Sequence, residues 1–143
     1  MYVRTAAEDG HVRKNGIDVR QLYPWDGVVV PPWNSTFCTV RPHESSTEHA
    51  HATDETFIFT AGSGTVQVGD ELRPVTEGDV IYIPHGNAHI VTNTSGDAPL
   101  TFISVYWLQP ATSDEPATGG DQAAGGAQAT TGAQATTGEP ARA

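Results

Sequence analysis

Three histidines and one glutamate in the middle of the chain are residue types that bind divalent metal ions. His49 and His51 are two positions apart, so on a β-strand their side chains leave the same face. Glu55 can return to that face across a tight turn, because residues 52–54 are small or polar. His89 lies much later, in a second segment of turn and strand residues. The four side chains therefore predict a site for one metal ion in a β-protein.

This ligand set is compatible with several metal ions, and it indicates which kinds of chemistry the ion could support. Three imidazoles with one carboxylate suit several divalent ions, and we expect one Zn(II) or Fe(II) per chain. Four protein ligands leave up to two octahedral positions open, which permits Lewis-acid chemistry on a chelating substrate or dioxygen binding beside the substrate. The imidazoles must be neutral and the carboxylate ionised, so metal affinity should fall as pH drops through the imidazole range.

The first of these segments resembles the first signature motif of the cupin superfamily. That motif runs Gly, five residues, His-x-His, three or four residues, Glu, six residues, Gly. His49, His51, Glu55 and Gly62 match it, whereas His43 stands at the first glycine. The difference affects a turn position and no ligand, so it puts the loop geometry in doubt and leaves the metal site intact.

The second segment resembles the second cupin motif, which runs Gly, five residues, Pro-x-Gly, two residues, His, three residues, Asn. All five positions are matched, by Gly78, Pro84, Gly86, His89 and Asn93. With flanking strands the likeness covers roughly residues 25–109. It implies an all-β protein with a cupin-type jelly-roll β-barrel, in which the three histidines and the glutamate bind the metal.

Short strands separated by turns are also predicted from the residues themselves. The strands are 37–41, 55–61, 65–68, 72–75, 80–83, 89–93 and 100–108. Gly69-Asp70 is a hairpin signal, and Pro74 indicates an edge strand or a bulge. No stretch has convincing helical periodicity, so the strands favour a sandwich or a small barrel.

Alternation along these strands predicts which side chains face the interior. If Glu55 points inward, Phe57 and Phe59 should follow, and if His89 points inward, Val91 and Asn93 should follow. On the last strand the sequence leaves two faces open. One carries Phe102, Ser104 and Tyr106, and the other carries Ile103, Val105 and Trp107.

Five residues are candidates for a substrate pocket. Phe57 and Phe59 would form an apolar wall beside the metal, and Tyr106 would suit a wet pocket. Trp33 could line the barrel mouth, although core burial is an equal alternative. Arg41 could bind a substrate carboxylate, and the alternative is an ordinary surface arginine. The sequence assigns no catalytic residue.

Composition excludes several classes of partner. The formal net charge is −10, with seven scattered Lys and Arg residues, which argues against binding to nucleic acid. No apolar run approaches membrane-spanning length, and residues at the N-terminus of this sequence do not show the charged-then-apolar pattern of a signal peptide. The single cysteine, Cys38, suits a reducing compartment, so we expect a cytoplasmic protein.

The chain divides into two parts by composition. Residues 1–109 are expected to form the cupin β-barrel. Residues 110–143 contain no Val, Ile, Leu, Met, Phe, Trp or Tyr and include a direct repeat of Ala-Gln-Ala-Thr-Thr-Gly. Such a segment has nothing to bury, so it is predicted to be a disordered, flexible tail or an interdomain linker.

A closer resemblance is to small actinobacterial cupins. It is carried by Pro32-Trp33, the two motifs, the ending Leu-Thr-Phe-Ile-Ser-Val-Tyr-Trp at 100–107 and the abrupt linker. Among these cupins are domains joined to methionyl-tRNA-synthetase-like domains in hydrazine-forming enzymes. There the synthetase-like part esterifies an amino acid onto an N-hydroxylated amine, and the cupin part lets the amino group attack that nitrogen.

The resemblance implies a metal-dependent cupin that acts on a small polar metabolite by forming an N–N bond. Its partner would be a synthetase-like domain, either covalently linked or separate. Two alternatives stay open: an Fe(II)-dependent cupin dioxygenase, and a non-catalytic cupin that binds a small ligand. Cupins often dimerise through sheet edges, so a homodimer is expected in each case.

The composition of the tail generates the first testable prediction. Truncation after Gln109 should leave the melting temperature nearly unchanged, because the removed residues contain no large apolar side chain. Thermal unfolding of the full and truncated chains, followed by circular dichroism, measures this. A loss of several degrees on truncation would show that the tail packs on the barrel.

Overall fold

The computed structural model describes residues 1–7 and 9–109, and this part of the chain is all β. The strands are β1 (Val12–Lys14), β2 (Ile17–Tyr23), β3 (Asn34–Val40), β4 (Asp54–Ala61), β5 (Ser63–Val68), β6 (Glu71–Thr76), β7 (Val80–Ile83), β8 (His89–Asn93) and β9 (Leu100–Trp107). Within these residues there is no helix that could cross a membrane. The predicted tail, 110–143, lies outside the described residues.

Two antiparallel sheets carry the strands. The larger sheet has the order β1-β2-β3-β9-β4-β7, and the smaller has the order β6-β5-β8. β9 lies between β3 and β4, with Phe37 opposite Ile103 and Glu55 opposite Tyr106. This arrangement is the cupin-type jelly-roll β-barrel that the motifs predicted, and its strands bring the ends of β4, β8 and β9 around one interior.

The apolar core lies on the inward faces of both sheets. Its most deeply buried members are Val40, Phe57, Phe59, Val66, Ile83, Val91, Leu100 and Phe102. Phe57, Phe59 and Phe102 contact one another, with ring centroids 4.6–6.4 Å apart. Burying three aromatic rings together contributes a large share of the hydrophobic stabilisation of a domain of this size.

The predicted interior faces of β4 and β8 are confirmed. Glu55, Phe57 and Phe59 are buried, whereas Ile58 between them is exposed. On β8, His89, Val91 and Asn93 are likewise buried. The face of β9 that the sequence left open is also decided, since Phe102 and Ser104 are buried and Ile103 is only half-buried.

Two local sequence signals, for a hairpin and for an edge strand, are confirmed by the structure. Gly69-Asp70 connects β5 to β6, with Val68 paired to Glu71 and Gly69 at a φ of 55°. Pro74 is on β6 and lies opposite Thr65 of β5. β6 is an edge strand of the smaller sheet. An edge tolerates proline because one side of the strand makes no ladder hydrogen bonds.

β1 and β2 extend the barrel beyond the range in which the sequence likeness to cupins was expected. They form a hairpin whose turn is Asn15-Gly16, with φ values of 49° and 77°. β2 then pairs with β3 and buries Ile17 in the core. The dipeptide Asn-Gly is itself a hairpin signal, and the residues after it alternate between apolar and polar, so the sequence contained the information that identifies this element.

His43, which replaces the first motif glycine, adopts a left-handed backbone conformation. Its φ is 61°, and its backbone N–H donates to the carbonyl of Ser95 over 3.2 Å. A left-handed conformation is costly for residues with a Cβ atom and nearly free for glycine. The loop therefore keeps the geometry of the glycine motif although the residue differs.

This conformation predicts the order of stability of two variants. His43→Gly should be more stable than His43→Ala by about 1 kcal/mol, because both remove the imidazole and only glycine accepts a positive φ without strain. Urea unfolding of both variants measures the difference. The same pair at the exposed turn residue Glu77 serves as the control, where alanine should equal or exceed glycine. A more stable His43→Ala would contradict the prediction.

Candidate metal centre and its cavity

Backbone pairing brings the two ligand segments together. His49 and His51 precede β4, Glu55 is the second residue of β4, and His89 begins β8. His49 and His89 form an isolated antiparallel bridge, with their N–H groups donating to each other's carbonyl oxygens over 3.3 and 3.0 Å. Histidines that are far apart in the sequence thus become immediate neighbours.

Each of the three imidazoles is oriented by a backbone carbonyl. The Nδ1 atoms of His49, His51 and His89 lie 2.8, 3.0 and 3.0 Å from the carbonyl oxygens of Thr47, Thr53 and Asn87 respectively. A carbonyl can only accept, so each Nδ1 is assigned the proton and donates it, and at His51 the Thr53 hydroxyl oxygen, 2.8 Å away, is then a second acceptor. The Nε2 atom of each neutral ring is therefore left with a free electron pair, the form in which histidine binds metals.

These ring nitrogens converge on one point. The ligand atoms of His49, His51 and His89 all lie within 4.8 Å of one another. The Nε2 atom of His89 is buried and has no hydrogen-bond partner with suitable geometry among the described residues. An unsatisfied buried acceptor costs free energy, and a shared cation would satisfy all three rings.

Glu55 faces the same point. Its Oε2 atom lies 2.8 Å from the Nε2 of His51 and 3.3 Å from the Nε2 of His89. Its Oε1 atom accepts a hydrogen bond from the Ser104 hydroxyl. A carboxylate and a neutral ring nitrogen both present electron pairs, so this close approach requires a proton or a metal ion between them. The residues present therefore fit a divalent ion.

The ionisation of these groups is consistent with that fit. Burial opposes the charge on Glu55, but its interactions with His89, Ser104 and His51 outweigh this effect and lower the pKa of the carboxyl group. Burial likewise lowers the pKa of His89, and its interactions with Glu55 and Asn87 outweigh this and raise it overall. A carboxylate is thus kept ionised, and a proton and a metal ion compete for the same face of His89.

The site opens into a cavity of about 420 Å³. The three histidines and Glu55 lie in its wall together with Phe57, Phe102, Ser104 and Tyr106. The cavity is large enough for a small metabolite and combines an apolar wall with a few polar groups, as small-molecule sites do. Of the five residues named as pocket candidates, Phe57 and Tyr106 lie in this wall.

The other three predicted pocket residues lie elsewhere. Phe59 packs in the core against Phe102, with ring centroids 5.4 Å apart. Trp33 contacts Tyr23 edge-to-face, with ring centroids 5.1 Å apart. Arg41 is exposed and forms an ion pair with Asp18 over 2.7 Å. Among the described residues, these three side chains are not part of the cavity wall.

Sequence reasoning placed Ser104 on one of two possible inward faces without its contact to Glu55, and it gave Asp54 no role. The Ser104 hydroxyl holds Glu55, a role that alternation alone could not reveal. Asp54, next to Glu55, is fully buried and accepts hydrogen bonds from Tyr82 over 2.8 Å and from His85 over 2.9 and 3.0 Å. Cys38 also lines the cavity, but burial raises the pKa of its thiol to about 11, so it is protonated at neutral pH.

Comparison with known proteins agrees with the fold. Residues 36–106 match the cupin domain family. A cupin 2 conserved barrel domain protein from Salinispora arenicola is 30% identical, with a TM-score of 0.68 over 75% of this chain and 88% of that one. The plu4264 protein from Photorhabdus luminescens is 31% identical, with a TM-score of 0.66 over 75% and 86%. The chain belongs to the cupin family.

A curated relative extends the comparison to a third organism. An uncharacterized protein of Streptomyces coelicolor is 34% identical over 53 residues, which is 37% of this chain. The match spans half the length of that protein. These relatives support the fold and the family, and the reaction has to be inferred from the site.

The geometry of the centre predicts the metal content. Purified protein should carry close to one divalent metal ion per chain, and His49→Ala/His51→Ala should carry close to none, because two of four converging ligands are lost. Elemental analysis after dialysis measures both. His11→Ala is the matched control, since His11 is exposed and outside the centre. Full metal content in the double variant would contradict the prediction.

Proposed function

We propose that this cupin is a metal-dependent enzyme acting on a small polar metabolite bound in the cavity. One observation carries the proposal. A ring nitrogen from each of three imidazoles and the carboxylate of Glu55 converge on one point at the wall of a 420 Å³ cavity. Four ligands on one face leave open coordination positions toward the cavity, where a substrate can bind.

The bound ion would supply Lewis-acid polarisation of chelating groups on the substrate. The residues of the chain would prepare the surroundings. Ser104 holds the Glu55 carboxylate in position by hydrogen bonding, and the backbone carbonyls fix the three rings. Phe57 and Phe102 form an apolar wall that limits the access of water and strengthens electrostatic interactions at the centre.

We favour non-redox chemistry over the dioxygenase alternative. Open positions beside an apolar wall and hydroxyl groups suit a bidentate amine or carboxylate substrate. The described residues offer no second feature that argues for handling dioxygen. Cys38, the residue a thiol-based mechanism would use, is buried and hydrogen-bonded to Thr36 over 3.3 Å, with its pKa raised. A closed-shell ion would then serve as well as iron.

Within this class, the sequence resemblance to cupins of hydrazine-forming enzymes supports one reaction. The substrate would be an O-aminoacyl hydroxylamine. Its α-amino nitrogen forms a bond to the hydroxylamine nitrogen while the N–O bond breaks, and the carboxylate leaves with the electron pair. The amino group loses one proton, so the product is an isomer of the substrate and no oxidant is consumed. A synthetase-like partner domain would supply the ester.

The choice between the two chemistries yields a prediction. Metal-free protein reloaded with Zn(II) should convert O-aminoacyl hydroxylamines under anaerobic conditions at a rate within about tenfold of the Fe(II) form, because a Lewis acid needs no redox change. Mass spectrometry of substrate and product separates the isomers by fragmentation. The His49→Ala/His51→Ala variant, treated identically, is the control for uncatalysed rearrangement.

Two other outcomes would contradict this assignment. Turnover that requires Fe(II) and consumes oxygen stoichiometrically would favour the dioxygenase. Tight binding of the substrate without conversion under any condition would favour the ligand-binding alternative. The expected homodimer and cytoplasmic location are independent of this test and stay predictions.

A further inference from the structure

The charges along the cavity wall are few and asymmetric. Glu55 is the one carboxylate among the described residues of the wall, and it faces the candidate metal. Lys14 is the one lysine or arginine in the same wall. Since Lys14 is exposed, it lies where the cavity meets solvent. With a divalent ion bound, Lys14 would be a second positive charge in the wall of this cavity.

Lys14 differs from the other cations of the described chain. Each of the five arginines there pairs with a carboxylate: Arg4 and Arg20 with Asp9, Arg13 with Asp18 and Glu44, Arg41 with Asp18, and Arg73 with Glu71. Lys14 forms no ion pair with any described residue. Its charge nevertheless reaches the interior, where it counteracts part of the rise in the Cys38 pKa that burial causes.

A rigid hairpin holds Lys14 in this position. Lys14 pairs with Ile17 across the Asn15-Gly16 turn, and Ile17 is buried in the core. Gly16 has a φ of 77°, and a Cβ atom there would come within 2.8 Å of the Ser45 carbonyl. The turn thus lies directly against the segment before His49, in a conformation that favours glycine.

The hairpin is also tied to the metal centre through one residue. The Thr47 N–H donates to the Asn15 carbonyl over 2.8 Å, and the Thr47 carbonyl accepts the Nδ1–H of His49 over 2.8 Å. The backbone next to Lys14 and the ligand His49 are therefore connected by two hydrogen bonds through Thr47. A cation and a metal ion in the wall of one cavity can select a ligand by its charge.

We propose that the cavity is selective for substrates with an anionic group, a carboxylate being the fitting chemistry, and that Lys14 is the residue that determines this selectivity. This inference rests on the proposed function, because it assumes that the other end of the substrate coordinates the metal. A chain with a net charge of −10 repels anions as a whole, so a local, unpaired cation is needed to attract one. The ammonium group of Lys14 offers three donors for the task.

The test uses two matched metal-chelating probes. Succinic acid monohydroxamate binds metals through its hydroxamate and carries a distal carboxylate, and the matching carboxamide replaces only that carboxylate. Their affinities for the Co(II)-loaded full chain are measured from the cobalt absorption bands. We expect the carboxylate probe to bind about fivefold more tightly at low salt, a magnitude typical of a partly exposed ion pair. The preference should shrink as ionic strength rises.

Variants identify the residue responsible. Lys14→Met should abolish the preference and leave the affinity for the carboxamide unchanged, whereas Lys14→Arg should retain it. Arg73→Gln, which removes an exposed cation outside the cavity wall, controls for net charge. Equal binding of both probes by the wild type, or a preference that survives in Lys14→Met, would overturn the inference while the metal centre stands. Failure to bind Co(II) at all would overturn the proposed function, and the inference with it.

Discussion

The convergence of four electron-pair donors is the constraint on which the rest of this structure depends. Each imidazole is turned by a backbone carbonyl so that its free Nε2 faces the others and the Glu55 carboxylate. In a half-buried apolar setting, such an arrangement is unfavourable unless a cation neutralises it. The protein therefore maintains an arrangement that becomes favourable when a metal binds, so metal binding should also stabilise the fold.

Both sheets contribute to this arrangement. Glu55 belongs to β4, which is fixed between β9 and β7, and His89 belongs to β8 in the smaller sheet. The bridge between His49 and His89 connects the loop before β4 to β8. The aromatic cluster of Phe57, Phe59 and Phe102 packs beneath the centre and keeps the strands in register. Substitutions that remove one of these rings should therefore change the positions of the metal ligands.

Asp54 and Glu55 show how one strand gives adjacent carboxylates different tasks. Successive residues on a strand point to opposite faces, so Glu55 enters the cavity and Asp54 faces away. Hydrogen-bond donors lie at both: the Ser104 hydroxyl at Glu55, and Tyr82 and His85 at Asp54. Despite burial, these donors lower the pKa of both carboxyl groups. Asp54 is thus held in a network of hydrogen bonds, and Glu55 remains available to coordinate a metal ion.

The sequence by itself determined the all-β class, the interior faces of β4 and β8, and the residue types of the metal centre. Alternation, turn dipeptides and motif spacing are local properties, so they can be read without knowing which strands pair. Only the tertiary structure decided which face of β9 lines the cavity, and that Lys14 rather than Arg41 lies beside it. Thr39 on β3 pairs with Asp18 on β2, which brings Asp18 within reach of Arg41 and holds that side chain at the surface. Such placements follow from contacts between strands distant in sequence, and no local pattern contains them.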